Sequence, residues 1–270
     1  MKIDLSMYRV KPGAKVKLRD RDADGADGTR ERAAVEERTA ALVARLPDLQ
    51  HRLHAEGRRA LLVVLQGMDA SGKDGTIRRV MSVLNPQGCR VVSFKAPSEE
   101  ELAHDFLWRI HRACPRRGEV GIFNRSHYED VLIVRVRNLV PKSVWSKRYD
   151  QINAFEDILA QNDVTLLKLF LHVSHKEQRK RLLRRIKDPA RNWKSDPADL
   201  EEREHWPAYI RAYEAALARC STEAAPWHVI PADRKWFRDY VVAGLLVETL
   251  ERMDPQFPKP KTDPASLRVP

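Results

Sequence analysis

An unbroken apolar run from Ala60 to Leu65 marks a strand buried on both faces, since a strand covered on one face only would alternate. Upstream of it, Thr29 to about Glu56 is charged but sets Val35, Leu42, Leu46, Leu49 and Leu53 on one face, the pattern of a long helix bent at Pro47. Downstream, Arg90 to Lys95, Glu119 to Phe123, Thr165 to Val173 and Trp227 to Ile230 read as further strands. Helical spacing covers Glu99 to Cys114, Val131 to Arg137, Pro141 to Asn162, Ser174 to Lys187, Asp199 to Cys220 and Asp233 to Met253. The polar first 28 residues and the Pro-rich stretch from Asp254 show neither period, and the latter reads as extended over the surface. Five strands separated by helices predict an α/β protein with a doubly wound, five-stranded parallel sheet. The expected organisation is a single domain over 1–270, with an N-terminal extension and long helix at 1–57, a lid region at 175–200 and an extended tail at 254–270.

Composition narrows the setting. A chain of 270 residues can bury a substantial core. Met1 is not followed by a secretory apolar region and no apolar run approaches membrane-spanning length, so a soluble cytoplasmic protein with no membrane partner is expected. Cys89, Cys114 and Cys220 are odd in number and widely spaced, which suits reduced thiols rather than a disulfide framework or zinc site. A net charge of +11 favours an anionic partner without choosing among nucleic acid, membrane surface and other polyanions.

The loop after the first strand supplies chemistry. Gly67-x-x-x-x-Gly72-Lys73, followed by helical spacing from Thr76, has the strand–loop–helix context of a phosphate-binding loop. Glycines let successive backbone N–H groups turn toward one anion, the new helix adds the positive end of its dipole, and Lys73 brings a mobile charge. The candidate cradle is Gly67, Ala70, Ser71, Gly72, Lys73, Asp74, Gly75 and Thr76, where Asp74 and Gly75 replace the usual Ser or Thr after the lysine. Asp69 inside the loop would repel phosphate unless a divalent cation sat between them, so a metal is expected.

Two further stretches join this loop at the carboxyl ends of the strands, where such sheets bind ligands. In Ile122 to Val131, Asn124 stands where a magnesium-linked carboxylate is usual, and it can reach metal through its carbonyl or a water, with Glu129 adding charge. Asp130 reads equally well as helix-capping charge, His127 and Tyr128 as packing or acceptor-pocket residues, and His104 and His111 as surface or core. In His175 to Lys194, nine Lys or Arg residues face two acidic ones, with Arg181 and Arg185 one helical turn apart and Lys187 and Lys194 beyond. A solvated basic face is the bland reading. After the fourth strand of a phosphate-loop kinase, the same stretch reads as a lid whose arginines close over transferring phosphates. Nucleic acid is not the expected owner of the charge, because no helix-turn-helix, zinc finger or aromatic stacking sheet is present. Asp20, Asp22, Asp24, Gly25 and Glu31 match a calcium-loop pattern, but Pro12 and Gly13 disfavour its entering helix and Asp27 takes an aliphatic position, so a solvated turn is expected.

Taken together, GMDASGKDG (67–75), FNRSHYEDV (123–131), EQRKRLLRRIKDPARNWK (177–194) and HWPAYIRAYEAAL (205–217), with LSMYRVKPG near the N-terminus, resemble the polyphosphate kinase 2 family over nearly the whole chain. The resemblance implies a three-layer α/β/α kinase-like fold and phosphate transfer from inorganic polyphosphate to adenine or guanine nucleotides, or the reverse, with Mg²⁺ or Mn²⁺. It implies that Asp69 and Lys73 act as the loop's functional pair, that Arg125 follows the metal position, and that Arg181 and Arg185 are lid arginines. Asn124 with Glu129 resembles the subgroup that accepts both nucleoside mono- and diphosphates, with metal at Asp69, Asn124 and Glu129. A homo-oligomer is expected, since apolar residues of the long first helix suit an interface as well as a core. Two rivals stand beside this reading: an ATP-dependent kinase of a small metabolite, indifferent to polyphosphate, and a P-loop NTPase stimulated by a nucleic acid strand.

Overall fold

The computed structural model describes residues 4–25, 31–263 and 268, without the side chains of residues 194 and 199. Five parallel strands form one sheet in the order β2-β3-β1-β4-β5: β1 (Ala60–Gln66), β2 (Cys89–Ser93), β3 (Val120–Asn124), β4 (Val164–His172) and β5 (Trp227–Pro231). β1 lies at the centre and is buried at every residue, as its continuous apolar run requires. β2 is an edge, and its Val91 is exposed.

Crossovers between the parallel strands distribute the helices into two layers. One layer holds α1 (Arg32–Glu56), the short α2 (Lys73–Thr76) with its π-turn continuation Ile77–Met81, and the C-terminal α11 (Lys235–Met253), which packs on α1. The other holds α3 (Glu99–Leu102), α4 (Trp108–Ala113), α5 (Ile133–Val136), α6 (Lys142–Trp145), α7 (Arg148–Gln161) and α10 (Trp206–Arg219). α8 (His175–Lys187) and α9 (Pro197–Glu204) lie between β4 and α10, over the carboxyl edge of the sheet.

Three expected helices are broken. Glu99 to Cys114 splits into α3 and α4 because Asp105 turns its carboxylate onto the Leu107 N–H, a competing local bond. Pro141 to Asn162 splits into α6 and α7, and Asp199 to Cys220 divides at His205, where Pro207 opens α10. The strand expected at Arg90 to Lys95 starts and ends earlier, and Lys95 lies outside it. Helix α1 runs through Pro47 and begins at Arg32, with Glu31 as its N-cap; Thr29, where the spacing predicts its start, lies outside the described residues.

The polar N-terminal stretch is a strap across the β5 edge. Arg9 bridges His228, the Val10 N–H donates to the Trp227 carbonyl at 2.8 Å, and Ser221 Oγ donates to the Val10 carbonyl. A strap of this kind covers backbone groups that an open edge would present to other chains. Its acidic run is engaged locally: Asp22 accepts from the N–H groups of Asp24 and Gly25, and Asp24 pairs with Arg234 at 2.6 Å. Asp27 of the calcium pattern lies outside the described residues. Over residues 254–263 the described chain forms no helix or strand, and Phe257 lies edge-on to His51 of α1. No helix among the described residues is long and apolar enough to cross a membrane.

Candidate active site

The turn from β1 into α2 fixes the phosphate loop. Gly67 has φ +155°, and a Cβ there would meet the Leu171 carbonyl and Ser71 Oγ, both at 2.8 Å. Gly72 caps α2 at φ +108°, where a Cβ would fall 1.9 Å from Arg238 Nη1. The first intrahelical bond runs from the Thr76 N–H to the Gly72 carbonyl at 2.9 Å, so the N–H groups from Gly72 to Gly75 are the first-turn donors without an intrahelical acceptor. Thr76 Oγ1 also points back to the Gly72 carbonyl, at 3.2 Å. Ser71 Oγ is buried and has no hydrogen-bond partner among the described residues.

Lys73 is folded onto its own loop and donates to the Gly67 carbonyl at 2.8 Å. Burial, then the Arg125 charge, lower its pKa, while Asp69, Glu129 and Asp74 oppose that shift. A phosphate beside it would add to the favourable side. Asp69 and Arg125 form an ion pair at 2.6 Å. Burial opposes the Arg125 charge, but Glu129 and Asp69 outweigh it and hold the guanidinium above its ordinary pKa. Ala70 and Arg125 both take left-handed backbone, φ 61° and 64°, a local strain that the surrounding bonds sustain.

Asn124, at the end of β3, donates to Asp74 Oδ1 at 2.8 Å and lies 3.4 Å from Ser93 Oγ. Glu129 sits behind it, where the Gln66 amide, turned to face it, approaches its Oε1 at 3.1 Å. Burial raises the Glu129 pKa, with Arg125 and Lys73 pulling the other way. Asp130 belongs elsewhere: it accepts from Arg148 at 2.7 Å, and burial raises its pKa to about 6. His127 and Tyr128 bond Glu156, which also pairs with Lys168, in a fully buried cluster behind the site.

Asp69, Asp74, Asn124 and Glu129 make an all-oxygen set around the loop mouth, the donor type that magnesium takes. Among the described residues no three acidic, His or Cys side chains converge as a ready-made metal cage. Such a set suits an ion held by one or two protein oxygens and completed by substrate phosphates and water.

The lid arginines diverge. Arg181 is buried and donates to the Ala70 and Ser71 carbonyls at 3.0 and 2.9 Å, to the Asp233 carbonyl at 2.8 Å, and to Glu177. It grips the back of the loop. Arg185, one turn on, lines a small apolar hollow with Leu182, Ile186 and Leu200. The Lys194 side chain lies outside the described residues.

Several contributors carry no pattern in the sequence. Arg238 of α11 donates to the Ser71 carbonyl at 3.3 Å, and Gln178 of α8 donates to the Asp69 carbonyl at 3.0 Å, itself bonded by Arg203. Tyr213 of α10 is buried near Arg125 and Glu129, and burial raises its pKa well above the usual phenol range. Beside Ser93 opens a polar hollow of about 430 Å³, lined by Lys95, Trp108, Arg109 and Arg112 among others. Arg112 lies over the Trp108 ring at 4.4 Å, and Arg109 pairs with Glu101.

Comparisons with known proteins identify relatives of the whole chain. Residues 29–258 match the family model described as Polyphosphate kinase 2. The chain is 52% identical over 261 residues to the AMP/ADP-polyphosphate phosphotransferase of Meiothermus ruber, covering 96% of this chain and 97% of that one. It is 46% identical over 277 residues to the ADP-polyphosphate phosphotransferase of Rhodopseudomonas palustris, covering 98% and 95%. The crystal structure of polyphosphate kinase 2 from Arthrobacter aurescens TC1 superposes with a TM-score of 0.92 at 42% identity, covering 96% of this chain and 93% of that one.

Proposed function

The chain belongs to the polyphosphate kinase 2 family, and from that premise we propose that it transfers the terminal phosphoryl group of inorganic polyphosphate to nucleoside mono- and diphosphates, converting AMP to ADP and ADP to ATP. One observation carries the reading. The phosphate loop is joined through Asp74, Asn124 and Ser93 to a polar, arginine-lined hollow of about 430 Å³, so donor and acceptor can meet at one place. Acceptance of both AMP and ADP is supported by the likeness to the AMP/ADP-polyphosphate phosphotransferase of Meiothermus ruber.

The donor's terminal phosphates lie on the N–H groups of Gly72 to Gly75, with Lys73 turning from the Gly67 carbonyl to their oxygens. The acceptor nucleotide enters the hollow, where Arg112 and Lys95 meet its phosphates and the Trp108 region its base. Its attacking phosphate oxygen is already ionised near neutral pH, so no general base is required. Alignment and charge neutralisation remain, and Lys73 and Arg125 supply them. Asp69 and Asn124, with Asp74 and Glu129 behind, would hold Mg²⁺ or Mn²⁺, which when bound offsets the repulsion between two polyanions.

The test is an ATP-free reaction: polyphosphate, magnesium and either AMP or ADP, with products separated by chromatography. ADP and ATP formed from AMP, and loss of product with EDTA, are expected. Product from ADP alone would overturn the dual-acceptor reading. Activity that needs ATP as donor would point to the small-metabolite kinase instead.

A further inference from the structure

Arg238 lies in the first turn of α11, far along the chain from the motifs that carry the chemistry, yet its guanidinium is fully buried beneath the phosphate loop. Nη1 donates to the Ser71 carbonyl at 3.3 Å and fills the space where a Cβ on Gly72 would stand. Nε and Nη2 both donate to Asp239 Oδ1, at 3.0 and 2.7 Å, and Arg79 Nε takes the other oxygen of the same carboxylate. Arg181 donates to the same Ser71 carbonyl from α8. Two guanidiniums from different helices thus hold one loop carbonyl from behind.

This arrangement has a consequence for the opposite face of the peptide. A trans peptide directs its C=O and N–H to opposite sides. Fixing the Ser71 carbonyl toward Arg238 therefore aims the Gly72 N–H away from Arg238, on the side where α2 begins. We propose that Arg238, oriented by Asp239, is a positioning residue that sets the affinity of the phosphate loop for the polyphosphate donor. The proposal rests on the donor reading given above. Gly72 is then required for two reasons at once: its backbone angle, and room for the Arg238 guanidinium.

The experiment compares the parent protein with Arg238→Lys and Asp239→Asn. Lysine keeps the charge but cannot reach Asp239 and the Ser71 carbonyl together, and Asp239→Asn keeps the arginine but weakens its orientation. Each protein is assayed for the KM of polyphosphate and of ADP. Separately, the rise in melting temperature produced by tripolyphosphate alone is measured, a binding readout that needs no turnover. The expected result is a cooperative melt, a KM for polyphosphate raised about tenfold or more, a KM for ADP within about twofold of the parent, and a tripolyphosphate-induced rise at least halved. A folded variant with both polyphosphate KM and melting rise unchanged overturns the proposal, as does an equal change in both KM values. Failure of both variants to fold overturns it too, assigning Arg238 to stability. Should the parent itself not use polyphosphate, the donor reading fails and the tripolyphosphate melting comparison alone decides the role of Arg238.

Discussion

The charged side chains Lys73, Asp69 and Asp74 at the loop mouth already have protein partners: the Gly67 carbonyl, the Arg125 guanidinium and the Asn124 amide. Substrate therefore exchanges partners instead of filling empty positions, and specificity falls to groups that meet only the acceptor. Arg112, exposed on α4 over the Trp108 ring, is such a group. Arg112→Ala is expected to raise the KM for AMP and ADP by about tenfold and leave that for polyphosphate within about twofold. Steady-state kinetics with each substrate varied in turn would check it, and equal changes in both would remove Arg112 from the acceptor site. At this scale the sequence exposed Gly67, Gly72 and Lys73 because their spacing lies within one turn of chain. Gln178 and Arg238 were hidden because their partners, Asp69 and Ser71, lie 109 and 167 residues away, and no local period records such pairs.

Among the elements, β4 carries one residue that its apolar pattern does not explain. Lys168 is fully buried between α7 and the turn after β3, donating to Glu156, Tyr128 Oη and the Cys220 carbonyl. Burial works against the Glu156 charge, but Lys168 and His127 outweigh it and hold its pKa below the ordinary value. Lys168→Met would leave Glu156 buried without its cation, a loss of about 3–5 kcal/mol. Urea unfolding should show that loss, and Lys168→Met with Glu156→Gln should recover part of it; a single variant as stable as the parent would contradict the account. The central strands β1 and β4 were legible because their apolar runs are long, whereas the half-exposed edge strand β2 was placed one to two residues late. The helices were legible in place but not in extent, since Asp105 and Pro207 break them through local bonds and ring geometry that a hydrophobic count passes over.

For the whole molecule, the strap at the N-terminus ties the β5 edge to the loop that ends in α11, so stability and site share one border. His228 of β5 lies under that strap and is bonded through Nδ1 to the Lys168 carbonyl. Burial lowers its pKa to about 4. The folded protein keeps the ring neutral while the unfolded chain takes up a proton near pH 6.5, so this contribution is complete above about pH 6.5 and lost as pH falls toward about 4. Replacing His228 by Asn should flatten the fall in unfolding free energy over that window by up to about 3 kcal/mol, read from urea titrations at each pH; identical slopes would contradict it. The most direct test of the central claim is Lys73→Ala in the ATP-free reaction with polyphosphate and ADP, alongside a thermal melt. A folded protein with transfer reduced at least about a hundredfold is the predicted result. A folded protein that still forms ATP at close to the parent rate would contradict the assignment of the phosphate loop as the place where transfer occurs.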